Sequence, residues 1–354
     1  MKLFAPTLLA AALLAATATA AHAQTPVAAT APAALPGVTI YATGGTIAGS
    51  SASNTDTTNY KAGSIGIQTL IDAVPEMKKV ASVTGEQIAN VGSSDINGEI
   101  LLKLSKAINA KLAEPGTQGV VVTHGTDTLA ESAFFLDMTV NSPKPVVVVG
   151  AMRPATAISA DGPMNLLNAV TLAASPDAVG RGTLITLNDR IGSAFYTIKT
   201  NSTTVDTFKA EEQGYLGAFI GAQPKFWYSP ATPTGKLFFD VSRVTTLPKV
   251  VILYAYQDQD AALIDAAIRD GAKGIVIDGS GNGSVNSAVK KRIAELDQQG
   301  FPVVRATRTN SGVVTPKTEG IGSGVYSASK ARWLLTLALA QGASVAQIKG
   351  YFGS

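Results

Sequence analysis

Three glycine-bearing loops in this chain carry side chains that could do chemistry. The first is Thr43-Gly44-Gly45-Thr46-Ile47-Ala48-Gly49. Its paired glycines allow a tight turn and close approach to a ligand, and two hydroxyls flank them. The Ser/Thr/Asn-rich run Ser50–Tyr60 that follows has the composition of a lid. The second loop is Thr123-His124-Gly125-Thr126-Asp127-Thr128. Asp127 reads there either as a helix N-cap or as the partner of a substrate ammonium or a lysine. His124 reads first as structural, because no acid is placed to orient it, and only second as a general base. The third loop, Gly279-Ser280-Gly281-Asn282-Gly283-Ser284, resembles a dinucleotide fingerprint only superficially, since Ser284 stands where the third glycine belongs. The first loop lacks the Gly-Lys-Ser/Thr ending of a phosphate-binding loop, which excludes that reading too.

Two further segments matter. Asn90–Asp95 holds Ser93 and Ser94, which either cap a helix or face a ligand, and Lys199 lies in a polar stretch rather than a charge run. The chain has no Cys and two His, so a covalent mechanism falls to Ser or Thr, with Lys, Tyr or a carboxylate as base. A Thr hydroxyl is a weak nucleophile until a neighbour takes its proton, and a desolvated Lys can do so. Backbone N–H groups of glycine-rich loops at helix starts can hold an oxyanion. These residues permit acyl transfer by Thr with Lys assistance and leave the base open.

The loops need strands to hold them. Strands are predicted at Val38–Ala42, Gly119–Val122, Pro145–Val149, Thr183–Leu187, Lys249–Tyr254, Gly274–Asp278 and Pro302–Arg305, several as apolar runs suited to burial on both faces. Leu101, Leu104, Ile108 and Leu112 recur at helical spacing, as do Leu263 with Ala267 and Leu334 with Leu337. The alternation predicts an α/β fold: a larger N-terminal domain with a mostly parallel sheet flanked by helices, and a smaller C-terminal α/β domain. The expected division is a signal peptide at 1–23, a loose tail at 24–36, the domain carrying the candidate nucleophile loops at 37–227, a linker at 228–248 and a second domain at 249–354. In such sheets ligands sit beyond the carboxyl ends of strands, where the first two loops fall.

Composition narrows the class. With 28 basic and 25 acidic residues the net charge is +3, which is not the concentrated basic face of a nucleic-acid binder. Lys2, the apolar run Leu8–Ala16 and Ala21-His22-Ala23 have the pattern of a secretory signal peptide, predicting a periplasmic or secreted protein. No later stretch reaches the roughly 18 apolar residues of a membrane span, so no membrane anchor is expected.

Ala42-Thr-Gly-Gly-Thr-Ile-Ala48 and Thr123-His-Gly-Thr-Asp-Thr128 together resemble the bacterial type II L-asparaginase (glutaminase-asparaginase) family. The resemblance runs from about Leu35 to the end and takes in Gly150-Ala-Met-Arg-Pro154, Ser159-Ala-Asp-Gly-Pro163, Lys199-Thr-Asn201 and Lys330-Ala-Arg332. It implies hydrolysis of the side-chain amide of L-asparagine without metal or cofactor. Thr46 matches the family's nucleophile, Tyr60 the lid tyrosine that assists it, and Thr126, Asp127 and Lys199 the second catalytic set. Ser93 and Asp127 match groups that hold the substrate's α-carboxylate and α-amine. Glu319 matches a glutamate that reaches a neighbouring subunit's site, implying a homo-oligomer, typically a tetramer built as a dimer of dimers.

Three departures bear on specificity and local geometry. Ser94 stands where many asparagine-selective members carry Gln, and Ser284, also assigned to the neighbour's site, where many carry Asn. Both exchanges shorten a polar side chain, so L-glutamine is expected as a second substrate. The stretch after Glu319 is shortened. The competing reading is a periplasmic amino-acid-binding receptor without turnover, against which the unequal lobes argue.

Overall fold

Strand runs made almost wholly of valine and isoleucine are satisfied only when both faces are covered, so such a sheet needs helices above and below. A computed structural model, which describes residues 34–353, has this arrangement. In chain order it runs β1 (Gly37–Gly44), α1 (Ile67–Asp72), β2 (Ser82–Val91), α2 (Gly98–Leu112), β3 (Thr117–Thr123), α3 (Leu129–Thr139), β4 (Val146–Val149), α4 (Gly162–Ala174), β5 (Thr183–Leu187) and β6 (Arg190–Ser193). The short pair β7 (Ile198–Lys199) and β8 (Phe208–Lys209) follows, then β9 (Gly217–Ile220) and β10 (Gln223–Phe226). The remainder is β11 (Val250–Tyr254), α5 (Ala262–Arg269), β12 (Gly274–Gly279), α6 (Ser287–Gln298), β13 (Val303–Thr307), β14 (Ile321–Gly322), α7 (Ala328–Ala340) and α8 (Val345–Tyr351). The signal-peptide reading of 1–23 and most of the expected tail lie outside the described residues.

The large sheet has eight strands in the order β10-β9-β6-β5-β4-β3-β1-β2. Its pairings from β2 across to β5 are parallel, and those from β5 to β10 antiparallel. Side chains alternate between two cores. Val121, Val147 and Val149 pack with Leu166, Ala169 and Val170 of α4 on one face. On the other, Val120, Val122, Val146 and Val148 pack with Leu104 and Ile108 of α2 and with Leu129, Ala133 and Leu136 of α3. Each Val, Leu or Ile among them contributes roughly 1.5–3 kcal/mol on full burial. The second sheet, β11-β12-β13-β14, is wholly parallel. Ile275 and Ile277 face α5 and α6, while Val276 and Val304 face α7.

All of the expected strands are present, and the α/β architecture with a second, smaller parallel sheet is as predicted. Besides the two-residue strands β7, β8 and β14, the apolar pattern left β2, β6, β9 and β10 unpredicted. Only Ile88 of β2 is buried, so this edge strand lacks the apolar signal. The other three have four residues each, too few to show a period. In α5 the spacing is helical but the buried residue is Ile264, while Leu263 is exposed. Residues 228–248 contain no helix or strand, yet Phe239 and Val241 are buried in the core and Lys236 pairs with the buried Asp137 at 2.7 Å.

The strand order matters for function. From β1 the chain steps to β2 on one side, then crosses to lay β3 on the other. This is a topological switch point, and the crevice beyond its carboxyl ends is where such sheets bind ligands. Gly45 and Gly125 meet there backbone to backbone. Gly45 has φ +81°, and a Cβ on it would lie 2.2 Å from the Gly125 nitrogen. Gly45→Ala is therefore expected to cost about 3 kcal/mol or more, from strain plus overlap that no rotamer relieves. A urea unfolding curve checks this: a wild-type midpoint would show that the two loops part without cost.

Candidate active site

The first loop leaves β1 through Gly44 and Gly45 and makes one tight 3-10 turn, Thr46–Ala48. Gly45 N–H donates to Val91 O (3.0 Å), and Gly45 O accepts from Gly63 N–H (3.1 Å). Ile47 and Ala48 are anchored in the core, which fixes the turn from below. Thr46 is buried, and its Oγ1 lies 2.6 Å from Tyr60 Oη. Tyr60 thus closes over the nucleophile candidate from the far end of the lid-like run. A Cβ on Gly49 would touch the Tyr60 ring at 2.9 Å, so the small residue makes room for it.

The second loop leaves β3, which runs parallel to β1 with Ala42 opposite Thr123. Thr43 Oγ1 donates to Thr123 O at 2.9 Å and ties the two strand ends together. Lys199, on β7, places its Nζ 3.1 Å from Thr126 Oγ1 and 2.7 Å from Asp127 Oδ1. Asp127 therefore takes the lysine and does not cap the helix: the N-cap of α3 is Thr128, with no side-chain cap bond. Thr128 Oγ1 instead donates to Ser93 O at 2.7 Å, which pulls the Ser93–Asp95 turn against this loop. The Asp127 side chain is 69% exposed while that of Lys199 is 16% exposed. The pair contributes little to folding at that exposure, and its effect is to aim both groups.

The fold thus gathers Thr46, Tyr60, Ser93, Thr126, Asp127 and Lys199 around the β1–β3 crevice, with Ser94 exposed on the same turn as Ser93. It does not bring Ser284 and Glu319 there. Ser284 is exposed in the turn after β12, paired with Ser280. Glu319 lies 3.4 Å from Lys290 Nζ and 3.9 Å from Arg305 Nη1. Arg305 also donates to Gly283 O at 2.9 Å, so one arginine of β13 ties together the segments that carry the two residues. Among the described residues, neither makes a hydrogen bond or ion pair with the Thr46, Ser93 or Thr126 loops.

Two supports hold these loops, and the first of them, around Asp161, had no role assigned in the sequence. Asp161 accepts from Met152 N–H and Arg153 N–H, both at 2.9 Å, and Arg153 donates to Ser159 O at 2.8 Å. The block so formed accepts Ser51 N–H on Thr156 Oγ1, and donates Ala155 N–H to Gly49 O and Ile158 N–H to Asn54 O. It braces the stretch that carries Tyr60. The two Gly/Pro-bounded motifs around it were visible in the sequence, but nothing in their spacing showed that they face each other.

His124 is the other. Its imidazole is fully buried, with Nδ1 2.7 Å from Gly125 O and Nε2 unpartnered among the described residues. The carbonyl can only accept, so Nδ1 carries the proton. Burial pulls the imidazole pKa down to about 4, against the small opposing pull of the Gly125 carbonyl, so it is neutral at pH 7. Because the peptide is planar, holding Gly125 O also aims the N–H of Thr126. This is the structural role rather than general-base chemistry.

Comparison with known proteins adds an independent line. Residues 37–232 match the family model described as Asparaginase, N-terminal, and residues 249–352 match the Glutaminase/Asparaginase C-terminal domain. L-asparaginase 2 of Bacillus subtilis is 53% identical over 325 residues, covering 90% of this chain and 86% of that protein. A probable periplasmic L-asparaginase of Haemophilus influenzae is 45% identical over 326 residues, covering 90% and 93%. The crystal structure of a probable cytoplasmic L-asparaginase from Campylobacter jejuni superposes with a TM-score of 0.86 at 43% identity, covering 90% of this chain and 99% of that one. This last match corrects the expectation of a periplasmic protein. The same fold at high identity is found in a protein described as cytoplasmic, so the likeness brings no periplasmic location with it, and the residues on which the export reading rested are outside those described.

The buried His124 makes a pH prediction. The unfolded chain protonates this histidine below about 6.5, the folded chain only near 4. Between those values the unfolded state binds more protons, so stability falls as pH drops and the loss is complete below about 4. At 1.36 kcal/mol per unit this histidine accounts for about 3 kcal/mol of acid destabilisation. Urea unfolding from pH 7 to pH 4 should show that component in the wild type and lack it in His124→Gln. An unchanged pH slope in the variant would show that the imidazole is not shielded as described.

Proposed function

The chain belongs to the asparaginase family, and from that premise we propose that it hydrolyses the side-chain amide of L-asparagine to L-aspartate and ammonia, with Thr46 as nucleophile. One observation carries this reading: two threonine hydroxyls on adjoining strand ends each have a proton-bearing partner, Thr46 with Tyr60 and Thr126 with Lys199. A receptor needs neither pair, and the relatives give the receptor reading no support.

In the first half-reaction Thr46 Oγ1 attacks the amide carbon. Its proton leaves through Tyr60 Oη and is relayed to the amide nitrogen, which departs as ammonia and leaves an ester on Thr46. The tetrahedral oxyanion is held by the backbone N–H groups of Thr46 and Thr126, which have no hydrogen-bond acceptor among the described residues. Water then attacks the ester. Its hydroxyl goes to the acyl carbon and its proton returns to Thr46. The Lys199 ammonium, held by Asp127, donates to Thr126 Oγ1 and turns the Thr126 proton toward the reacting centre. Ser93 binds the substrate α-carboxylate and Asp127 its ammonium.

L-Glutamine is the proposed second substrate. Ser94 and Ser284 are short, and one methylene is discriminated by only about 1–3 kcal/mol. Ser284 and Glu319 lie apart from the crevice within one chain, which supports their acting on a neighbour's site in a dimer of dimers.

Thr46→Ala should lower ammonia release by about a thousandfold or more while melting like the wild type, and retained release would remove Thr46 from the chemistry. Wild-type protein should release ammonia from both L-asparagine and L-glutamine. Release from asparagine alone would discard the argument from Ser94 and Ser284. Light scattering should find an oligomer, and a fully active monomer would overturn the assignment of Ser284 and Glu319 to a neighbouring site.

A further inference from the structure

We propose that Lys330 is a positioning residue that sets the place of Lys199, an inference that rests on the reading of Lys199 given above. Lys330 lies in the first turn of α7, far from Lys199 in sequence and fully buried. Its Nζ donates to Phe195 O at 2.8 Å and to Thr197 O at 2.9 Å. Those carbonyls belong to the turn that leaves β6 and enters β7, two residues before Lys199. On the other side β7 is held by β8, with Lys199 opposite Phe208. Lys199 thus extends from a short stretch clamped at both ends, and Lys330 is one of the clamps.

The same ammonium lies 5.8 Å from the centre of the Phe134 ring. Phe134 is on α3, the helix that begins directly after Thr126, Asp127 and Thr128. Phe134 and Phe195 are themselves in ring contact, at 5.9 Å. Lys330 therefore stands between the segment that carries Lys199 and the helix behind its two partners. It keeps the two carriers in register.

A merely apolar anchor would not need a lysine here. The side chains around it on α7, including Ala331, Trp333, Leu334 and Leu335, are buried and apolar. Burying an amine among them is costly, and desolvation pulls the Lys330 pKa down to about 7 against the opposing charge of Asp137. What the amine returns is two hydrogen bonds to buried carbonyls that have no other donor among the described residues. Either protonation state keeps the two N–H donors this requires. Without them the peptides of Phe195 and Thr197 are left unpaired and turn to find partners, carrying Lys199 with them.

The test uses the full-length protein and Lys330→Met, which keeps volume and removes the donors. Ammonia release from L-asparagine should lose about tenfold or more in kcat with KM changed less than about threefold, since small misplacement of a group that orients a hydroxyl at the reacting centre acts on the chemical step. In a Lys199→Met background, Lys330→Met should add no further loss. An equal further loss there would show that Lys330 does not act through Lys199, and would overturn the proposal. Should Lys330→Met fail to fold, Lys330→Gln retains an amide donor and should lose kcat by a smaller factor in the same cycle. A crystal structure of whichever variant folds supplies a readout independent of activity. Lys199 Nζ should leave hydrogen-bonding range of Thr126 Oγ1, and an unchanged contact would overturn the proposal. Absence of ammonia release in the wild type would instead count against the proposed reaction, and the Lys199–Thr126 distance would still decide the positioning role.

Discussion

Everything in the crevice depends on one close approach: the backbone of Gly45 lies against the backbone of Gly125 where a single Cβ would overlap. The contact lets two loops from neighbouring parallel strands share one wall. Thr46 follows the first glycine and Thr126 the second, so bringing the glycines together brings the two hydroxyls to one place. A pair of larger residues would hold the loops several ångströms apart, and no rearrangement of side chains would restore the geometry.

Around that contact the polar groups are arranged by rank of burial. His124 is wholly enclosed and neutral, and it serves by holding a carbonyl. Thr46 and Thr126 are buried but face their partners. Asp127 is largely exposed, where a carboxylate stays cheaply charged and can meet an ammonium from solution. The ion pair with Lys199 does little for stability in that setting. It aligns the amine along a line that also reaches Thr126.

The second sheet takes part through its packing. Helix α7 lies between that sheet and α3, and its first turn reaches the carbonyls that precede Lys199. From Leu35 onward the chain is one compact unit, so the smaller sheet is more than an appended lobe. Arg305 of β13 gathers the Gly283 and Glu319 carbonyls, so Ser284 and Glu319 are held within that sheet's own loops, and among the described residues neither bonds to the Thr46 crevice of its own chain.

How much of this was legible follows from how local each signal is. Buried parallel strands announce themselves as runs of Val and Ile, so the strands flanking the first two loops were readable, and with them the carboxyl-end position of Thr46, Thr126 and Asp127. The edge strand β2 and the short antiparallel strands carry too few apolar residues to be seen. The polar setting singled out Lys199, and the resemblance to the asparaginase family singled out Tyr60 and gave Lys199 its role, without saying what either touches. Several relations are long-range and have no local trace: which of the readings of Asp127 holds and which lysine it meets, the Arg153–Asp161 block bracing the lid-like run, and Lys330 reaching Phe195 and Thr197. Sequence alone determined the fold class and the list of reactive groups, because strand patterning and side-chain chemistry are local properties. Tertiary structure alone decided which of those groups meet, because hydrogen bonds between residues many tens of positions apart exist only once the sheet order has brought their loops together.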